Sequence, residues 1–222
     1  MRRRQLLLSL TALALCTRGA TARAAAEETS APIVALTFDD GPHPEHTLRL
    51  LDILERENVR ATFFVIGSCA QRCPEVVQQA FKAGHEIGNH SWSHPVLTRL
   101  SAAAVADELA KTDALLVDIN GDLPNTIRPP YGAMNDAVRG VGLPRPMMLW
   151  NVDTNDWRSR DTASVQREAM SRSGGIVLMH DIYSTTVAAV PEIIREYKAR
   201  GFRFVTISNY IEWQANDSID QV

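Results

Sequence analysis

Cysteine, surplus basic charge and long apolar runs are all scarce in this 222-residue sequence. There are three cysteines, Cys16, Cys69 and Cys73, and no third soft ligand stands near the last two, which excludes a cysteine-rich zinc site there. Basic residues number 23 against 26 acidic, a net charge of −3. Residues 1–24 hold five of those arginines and no acids, so without them 18 basic residues face 26 acidic, a net of −8. With no basic patch or tail, nucleic acid is excluded as a partner, and net charge does not draw in an anionic polymer. The longest apolar run, residues 6–15, is too short for a mature transmembrane helix.

That run has a different use. Arg2, Arg3 and Arg4 precede it and Ala22-Arg23-Ala24 follows, which is the pattern of a secretory signal cut after Ala24. The arginine cluster is also compatible with twin-arginine export. The expected location is therefore secreted, periplasmic or in the cell envelope, with no membrane contact after cleavage. Residues 25–31 read as a linker, 32–213 as one domain and 214–222 as a flexible tail. In an exported chain, Cys69 and Cys73 are expected to form a local disulfide, with two free thiols as the alternative.

Between those limits strand and helix alternate. Residues 32–38, 61–66, 86–89, 126–128, 147–152, 176–179 and 202–207 read as extended. Helices are expected over 46–57, 74–82, 162–173, 187–200 (with Pro191 in the first turn) and 209–213, and over a long stretch from a Ser101 cap to Gly121. Such alternation gives an α/β fold with a parallel sheet, and the count suits a distorted β/α barrel of about seven strands. Active sites of such barrels lie at the carboxyl ends of the strands. Asp39-Asp40, Arg128, Asp153 and His180 all fall at or just past such ends, so scattered residues converge on one mouth.

The most telling of these is Thr37-Phe38-Asp39-Asp40-Gly41, followed by His90-Ser91-Trp92-Ser93-His94. Asp40 with His90 and His94 offers three ligands for a divalent ion and leaves a coordination position open for water. Asp39 stays free to handle protons. A turn rich in Asp and Gly, and two surface histidines, is the plainer reading of each piece alone. Arg128 leads the rigid turn Pro129-Pro130-Tyr131-Gly132 and can pair bidentately with a carboxylate, while a backbone N–H of that turn can face an oxyanion. Asp153-Thr154-Asn155-Asp156-Trp157 sets acids beside an aromatic ring able to wall a pocket. His180 ends a hydrophobic strand, where a nearby carboxylate can tune it as a general acid.

These five segments, in this order, resemble the polysaccharide deacetylase (NodB-homology) family, carbohydrate esterase family four, across residues 32–213. The resemblance implies a metal triad of Asp40, His90 and His94, holding Zn2+ in preference to Co2+ or Mn2+. It implies Asp39 as general base, Arg128 orienting it, the Tyr131 N–H as oxyanion donor, His180 as general acid and Asp156 tuning that acid. Leu178, Trp157 and Tyr131 would line the acetyl pocket. The implied substrate is an N-acetylated polysaccharide or oligosaccharide of peptidoglycan or chitin type, giving acetate and a free amine. Tyr183 occupies a position where some relatives carry histidine, which leaves substrate preference open. An acetylxylan O-esterase and a non-catalytic glycan-binding member are the alternatives. Oligomeric state is not readable from the sequence.

Overall fold

The computed structural model describes residues 31–219, with side chains described through residue 216. The expected signal at 1–24, Cys16 and most of the 25–31 linker lie outside the described residues. Residues from Ile33 onward form one compact unit.

Its centre is strand β1 (Ile33–Asp39), whose seven residues are all buried. A strand covered on both faces reads as a continuous apolar run, and Ile33-Val34-Ala35-Leu36 does so. β1 pairs on one side with β2 (Thr62–Val65), which pairs with β3 (Glu86–Asn89). Strand β4 (Val152–Asp153) pairs with β5 (Gly175–His180), and β5 pairs with the other side of β1. Strand β6 (Arg203–Phe204) joins the start of β1, below the residues where β2 begins to pair. Every pairing is parallel, as the strand–helix alternation predicts. Isolated bridges continue the sheet from Asn89 to Ile127 and from Ile127 to Met147. The expected distorted barrel is thus a six-stranded parallel sheet extended by bridging residues.

The expected strand 126–128 shrinks to the Ile127 bridge and 147–152 to the Met147 bridge and Val152 of β4, and proline limits the ladder between them. Ile127 N–H bonds to Pro146 O and Met148 N–H bonds to Ile127 O, but Pro129 and Pro146 have no N–H with which to lengthen the ladder.

The layer outside the sheet is helical. Helix α1 (His46–Arg56) buries Leu50, Leu51, Ile53 and Leu54. The short α2 (Gly67–Arg72), not foreseen in the sequence, leads into α3 (Pro74–Lys82), which has Pro at its start as helix entry favours. Helix α4 (Ala102–Asn120) is capped by Ser101, whose hydroxyl accepts from Ala104 N–H, and ends at Gly121 in the left-handed region. Helices α5 (Asp136–Gly142), α6 (Asp156–Ser159) and α7 (Thr162–Ala169) follow.

Helix α8 (Ser184–Ala199) begins earlier than its sequence suggests, so Pro191 sits in its interior and not in its first turn. Thr186 Oγ1 donates to Asp156 Oδ2, and that tertiary bond draws the β-branched run at 185–187 into the helix. Helix α9 (Ile207–Ile219) runs past Gln214, where a flexible tail is expected. Its start is anchored by Ile207, fully buried, and by Ser208 N–H donating to Glu86. No helix among the described residues is long and apolar enough to cross a membrane.

The core lies between sheet and helices. Val34, Leu36 and Phe38 of β1 pack there with Leu50, Leu54, Val190 and Ile194. Each such side chain contributes roughly 1.5–3 kcal/mol by leaving water. The alternate residues Ala35, Thr37 and Asp39 point to the other face of the sheet, which lets polar groups accumulate at the strand ends.

The local disulfide expected between Cys69 and Cys73 is absent, and both are free thiols. Arg72 Nη2 donates to Cys69 Sγ at 3.1 Å. Cys73 breaks the helical path between α2 and α3 at φ −136°, ψ 55°, so the two cysteines are not stacked on one continuous helix.

Candidate metal and catalytic site

Register brings the chemistry together. Asp39, the last residue of β1, is paired directly with His180, the last of β5. Asn89 ends β3 beside Val65 of β2, and His90 follows it. Beyond the strands the chain turns sharply. Asp40, Ser91, His94, Tyr131, Asn155 and Arg160 all hold positive φ, six of the seven non-glycine residues that do so among those described. Left-handed backbone is unfavourable for residues with a Cβ and concentrates where surrounding contacts enforce it. Here it splits neighbours apart, so that Asp39 and Asp40 face different partners.

Asp40 Oδ1 lies 3.4 Å from His90 Nε2 and 3.2 Å from His94 Nε2. Those spacings match neighbouring ligands around a divalent ion bound at about 2.1 Å. This is the one trio of potential metal ligands found among the described residues. The donor chemistry fits as well. His90 Nδ1 sits 2.7 Å from Arg128 O, a carbonyl that only accepts, so Nδ1 carries the proton and Nε2 presents a lone pair. That lone pair faces Asp40 Oδ1, a buried oxygen with no hydrogen-bond donor. A cation resolves the conflict between two facing acceptors. His94 Nδ1 lies 3.1 Å from the Tyr131 hydroxyl, which orients the second ring.

Behind the trio, Arg128 is fully buried. Its Nη1 donates to Asp39 Oδ1 at 2.8 Å and to Thr37 Oγ1 at 2.7 Å. Its Nε and Nη2 donate to the carbonyls of Met148 and Leu149, and its plane lies over the Phe64 ring at 4.2 Å. Desolvation pulls the guanidinium pKa down while the Asp39 charge opposes it. With all three nitrogens engaged, the arginine fixes one Asp39 oxygen, and Asp39 Oδ2 lies 3.8 Å from His90 Nε2.

Across the pocket, His180 Nδ1 meets Asp156 Oδ1 at 2.7 Å. Asp156 is fully buried at the start of α6, and accepts also from the N–H groups of Trp157 and His180 and from Thr186 Oγ1. Burial lowers the His180 pKa, but the Asp156 hydrogen bond and the Asp156, Asp39 and Asp40 charges raise it to about 9. The Nε2 of His180 turns toward the metal trio, 3.9 Å from Asp40 Oδ2.

Small-ligand sites commonly measure about 300–1,000 Å³, and this cavity measures ≈ 660 Å³. Eight of the ten site residues read from the sequence line it: Asp39, Asp40, His90, His94, Tyr131, Trp157, Leu178 and His180. Arg128 and Asp156 stand behind Asp39 and His180 as their hydrogen-bond partners. Tyr131 and Trp157 are exposed at the mouth and Leu178 is buried.

Sequence reasoning missed three groups. Trp150 and Arg160 line the same cavity, and Trp150 was findable as a residue within the 147–152 extended run. Asp181 has no counterpart in the sequence reading of the site. It is fully buried, accepts from Thr47 Oγ1, and leaves its Oδ1 unpartnered. Burial pushes its carboxyl up to about 7. It also explains Gly41: a Cβ there would overlap the Asp181 carboxylate.

Known proteins resemble this chain in sequence and in fold. The profile of the polysaccharide deacetylase family matches residues 26–143. Peptidoglycan-N-acetylglucosamine deacetylase PgdA of Listeria monocytogenes is 44% identical over 177 residues, covering 78% of this chain and 38% of that protein. A peptidoglycan-N-acetylglucosamine deacetylase of Bacillus cereus is 38% identical over 195 residues, covering 82% of this chain and 89% of its own. The solved structure of peptidoglycan deacetylase PdaC from Bacillus subtilis superposes with a TM-score of 0.82 at 38% identity, over 87% of this chain and 96% of that one. The chain spans about two fifths of the length of the curated relatives heading these matches.

Proposed function

Because this chain belongs to the polysaccharide deacetylase family, we propose that it is a secreted, metal-dependent N-deacetylase of N-acetylglucosamine units in peptidoglycan or chitin-type glycans. In this reading residues 1–24 direct export, 32–213 form the catalytic domain, and Zn2+ is the resident ion. The observation that carries it is the convergence of one trio and two pairs at one cavity: Asp40 with the two imidazoles, Asp39 backed by Arg128, and His180 backed by Asp156.

Asp40, His90 and His94 would hold the ion, which supplies Lewis acidity toward the acetamido carbonyl and toward water. Asp39, oriented by Arg128, takes a proton from the water that adds to the carbonyl carbon. The backbone N–H of Tyr131, in its left-handed turn, donates to the oxygen on which charge collects. Leu178 and Trp157 wall the acetyl methyl group and exclude water from it. As the C–N bond breaks, His180 Nε2 gives its proton to the departing nitrogen, leaving acetate and a free amine.

His180 separates this reading from the acetylxylan esterase. An amine leaves poorly unless protonated, and the Asp156 carboxylate holds His180 protonated at neutral pH. An alcohol leaving group needs less of that help. Acetate release from chitooligosaccharides, peptidoglycan and acetylated xylan tests the choice. Release from an amino-sugar polymer is expected. Release from xylan alone makes the chain an O-esterase, and glycan binding without release makes it a non-catalytic member.

A further inference from the structure

One pocket group has no part in that chemistry. Arg160 closes the four-residue helix α6 in a left-handed conformation, φ 49° and ψ 31°, and its N–H bonds to Asp156 O. Its Nε donates to Trp157 O at 2.9 Å. Its guanidinium lies over the Tyr183 ring, 3.3 Å from the centroid. Backbone, Nε and ring face are therefore all engaged, yet no carboxylate is paired with it among the described residues. Both Arg160 and Tyr183 line the catalytic cavity.

This is an unusual place for a stacked, unpaired cation. A solvated arginine at a loop tip ordinarily moves through many rotamers. Here side-chain entropy is already lost before any ligand arrives, which favours recognition of a group with two coplanar acceptors. The Nη groups have no carboxylate partner among the described residues, and a carboxylate is their natural partner. Arg160 is the one arginine or lysine among the residues that line the cavity, where Asp39, Asp40 and Asp153 supply the carboxylates. The acidic net charge of the whole chain acts at longer range and is screened beyond about 8 Å at physiological salt.

We propose that Arg160, braced on Tyr183, is a specificity-determining residue that binds a carboxylate carried by the glycan next to the acetamido group being hydrolysed. The inference rests on the deacetylase reading and ranks its substrates, placing acidic, muramic-acid-bearing strands ahead of neutral chitin-type ones, which are still turned over. Two carboxylates meet the description: that of the lactyl ether on the sugar, and those of a peptide stem attached to it.

The test is binding by calorimetry to chelator-treated protein, so that no turnover intervenes. The ligands are an N-acetylglucosamine–N-acetylmuramic acid tetrasaccharide with free lactyl carboxylates, its lactyl amide, the stem-bearing tetrasaccharide, and that fragment with its stem carboxylates amidated. Wild type is expected to bind one acidic member of a pair at least about tenfold more tightly than its amide, a direct bidentate ion pair being of that order. Preference within the first pair assigns the lactyl group, and preference within the second alone assigns the stem. Arg160→Met should bring the ratio to within about twofold of unity, and Arg160→Lys should keep part of it. Equal binding of acidic and amidated ligands by wild type, or a ratio unchanged in Arg160→Met, overturns the proposal. Acetate release from chitotetraose by metal-loaded wild type judges the deacetylase reading separately, since that substrate carries no carboxylate.

Discussion

Arg128 Nη1 donates to Asp39 Oδ1 at 2.8 Å with both side chains closed off from solvent. The pair joins the last residue of β1 to the turn after Ile127, and five hydrogen-bond acceptors and ring faces hold the guanidinium still. Removing one partner of a buried pair leaves the other charge unpaired, at a cost of about 3–5 kcal/mol. Asp39→Asn is therefore expected to lower the melting temperature and to reduce kcat by about 10²–10⁴-fold, the usual contribution of a general base. Thermal melts and acetate release check the two together. Wild-type turnover in Asp39→Asn removes Asp39 from the chemistry.

In the proposed mechanism the His180–Asp156 bond is expected to set the alkaline limit of activity. The His180 pKa is raised from 6.5 to about 9, so its proton is present below that range and lost as pH rises through about 9. Activity that depends on this proton follows the same course. A cation on Asp40 offsets one of the raising charges and brings the limb somewhat lower. Asp156→Asn removes the charge while keeping an acceptor, and shifts the alkaline limb of kcat/KM toward 6.5. An alkaline limb unmoved by Asp156→Asn would show that another group titrates there.

Metal retention tests the trio directly. His94→Ala should lose bound zinc and activity in parallel, because His94 Nε2 is the nearer of the two ring nitrogens to Asp40 Oδ1. Elemental analysis after gel filtration gives the stoichiometry. Full zinc content in the purified variant contradicts the assignment.

Asp181 predicts a pH dependence of stability at acid and neutral pH. Its carboxyl is raised by burial from 3.8 to about 7. Between those values the folded chain holds a proton that the unfolded chain releases, so this stabilisation is full below 3.8 and is lost as pH rises through about 7. Asp181→Asn keeps an acceptor for Thr47 Oγ1 without the titration. Its melting temperature should fall less than that of wild type between pH 4 and 7. Parallel curves for the two proteins rule Asp181 out as the source. Gly41→Ala, forced against the same carboxylate, should destabilise the fold by about 1–3 kcal/mol in chemical denaturation.

The sequence speaks clearly where signals are local. The 74–82 and 86–89 elements, the Ser101 cap and the Gly121 stop all follow from periodicity and punctuation within a few residues. The proximity of Asp40 to His90 and His94, of Asp39 to Arg128 and of His180 to Asp156 was legible because each residue sits in a distinctive motif at or shortly after a strand end. What stayed hidden depends on tertiary contacts. The Thr186–Asp156 bond moves the start of α8, and the prolines at 129 and 146 limit the ladder between two strands that look regular by composition. Arg160 reads as an ordinary surface cation until Tyr183, more than twenty residues on, is brought beneath it.

The most direct single measurement is metal-dependent acetate release from chitotetraose. The protein is stripped with chelator, assayed, reloaded with zinc and assayed again, with new primary amines counted alongside acetate. The account predicts no release after stripping, recovery with zinc, and one amine for each acetate. Undiminished release from the stripped protein, or acetate without matching amine, would contradict it.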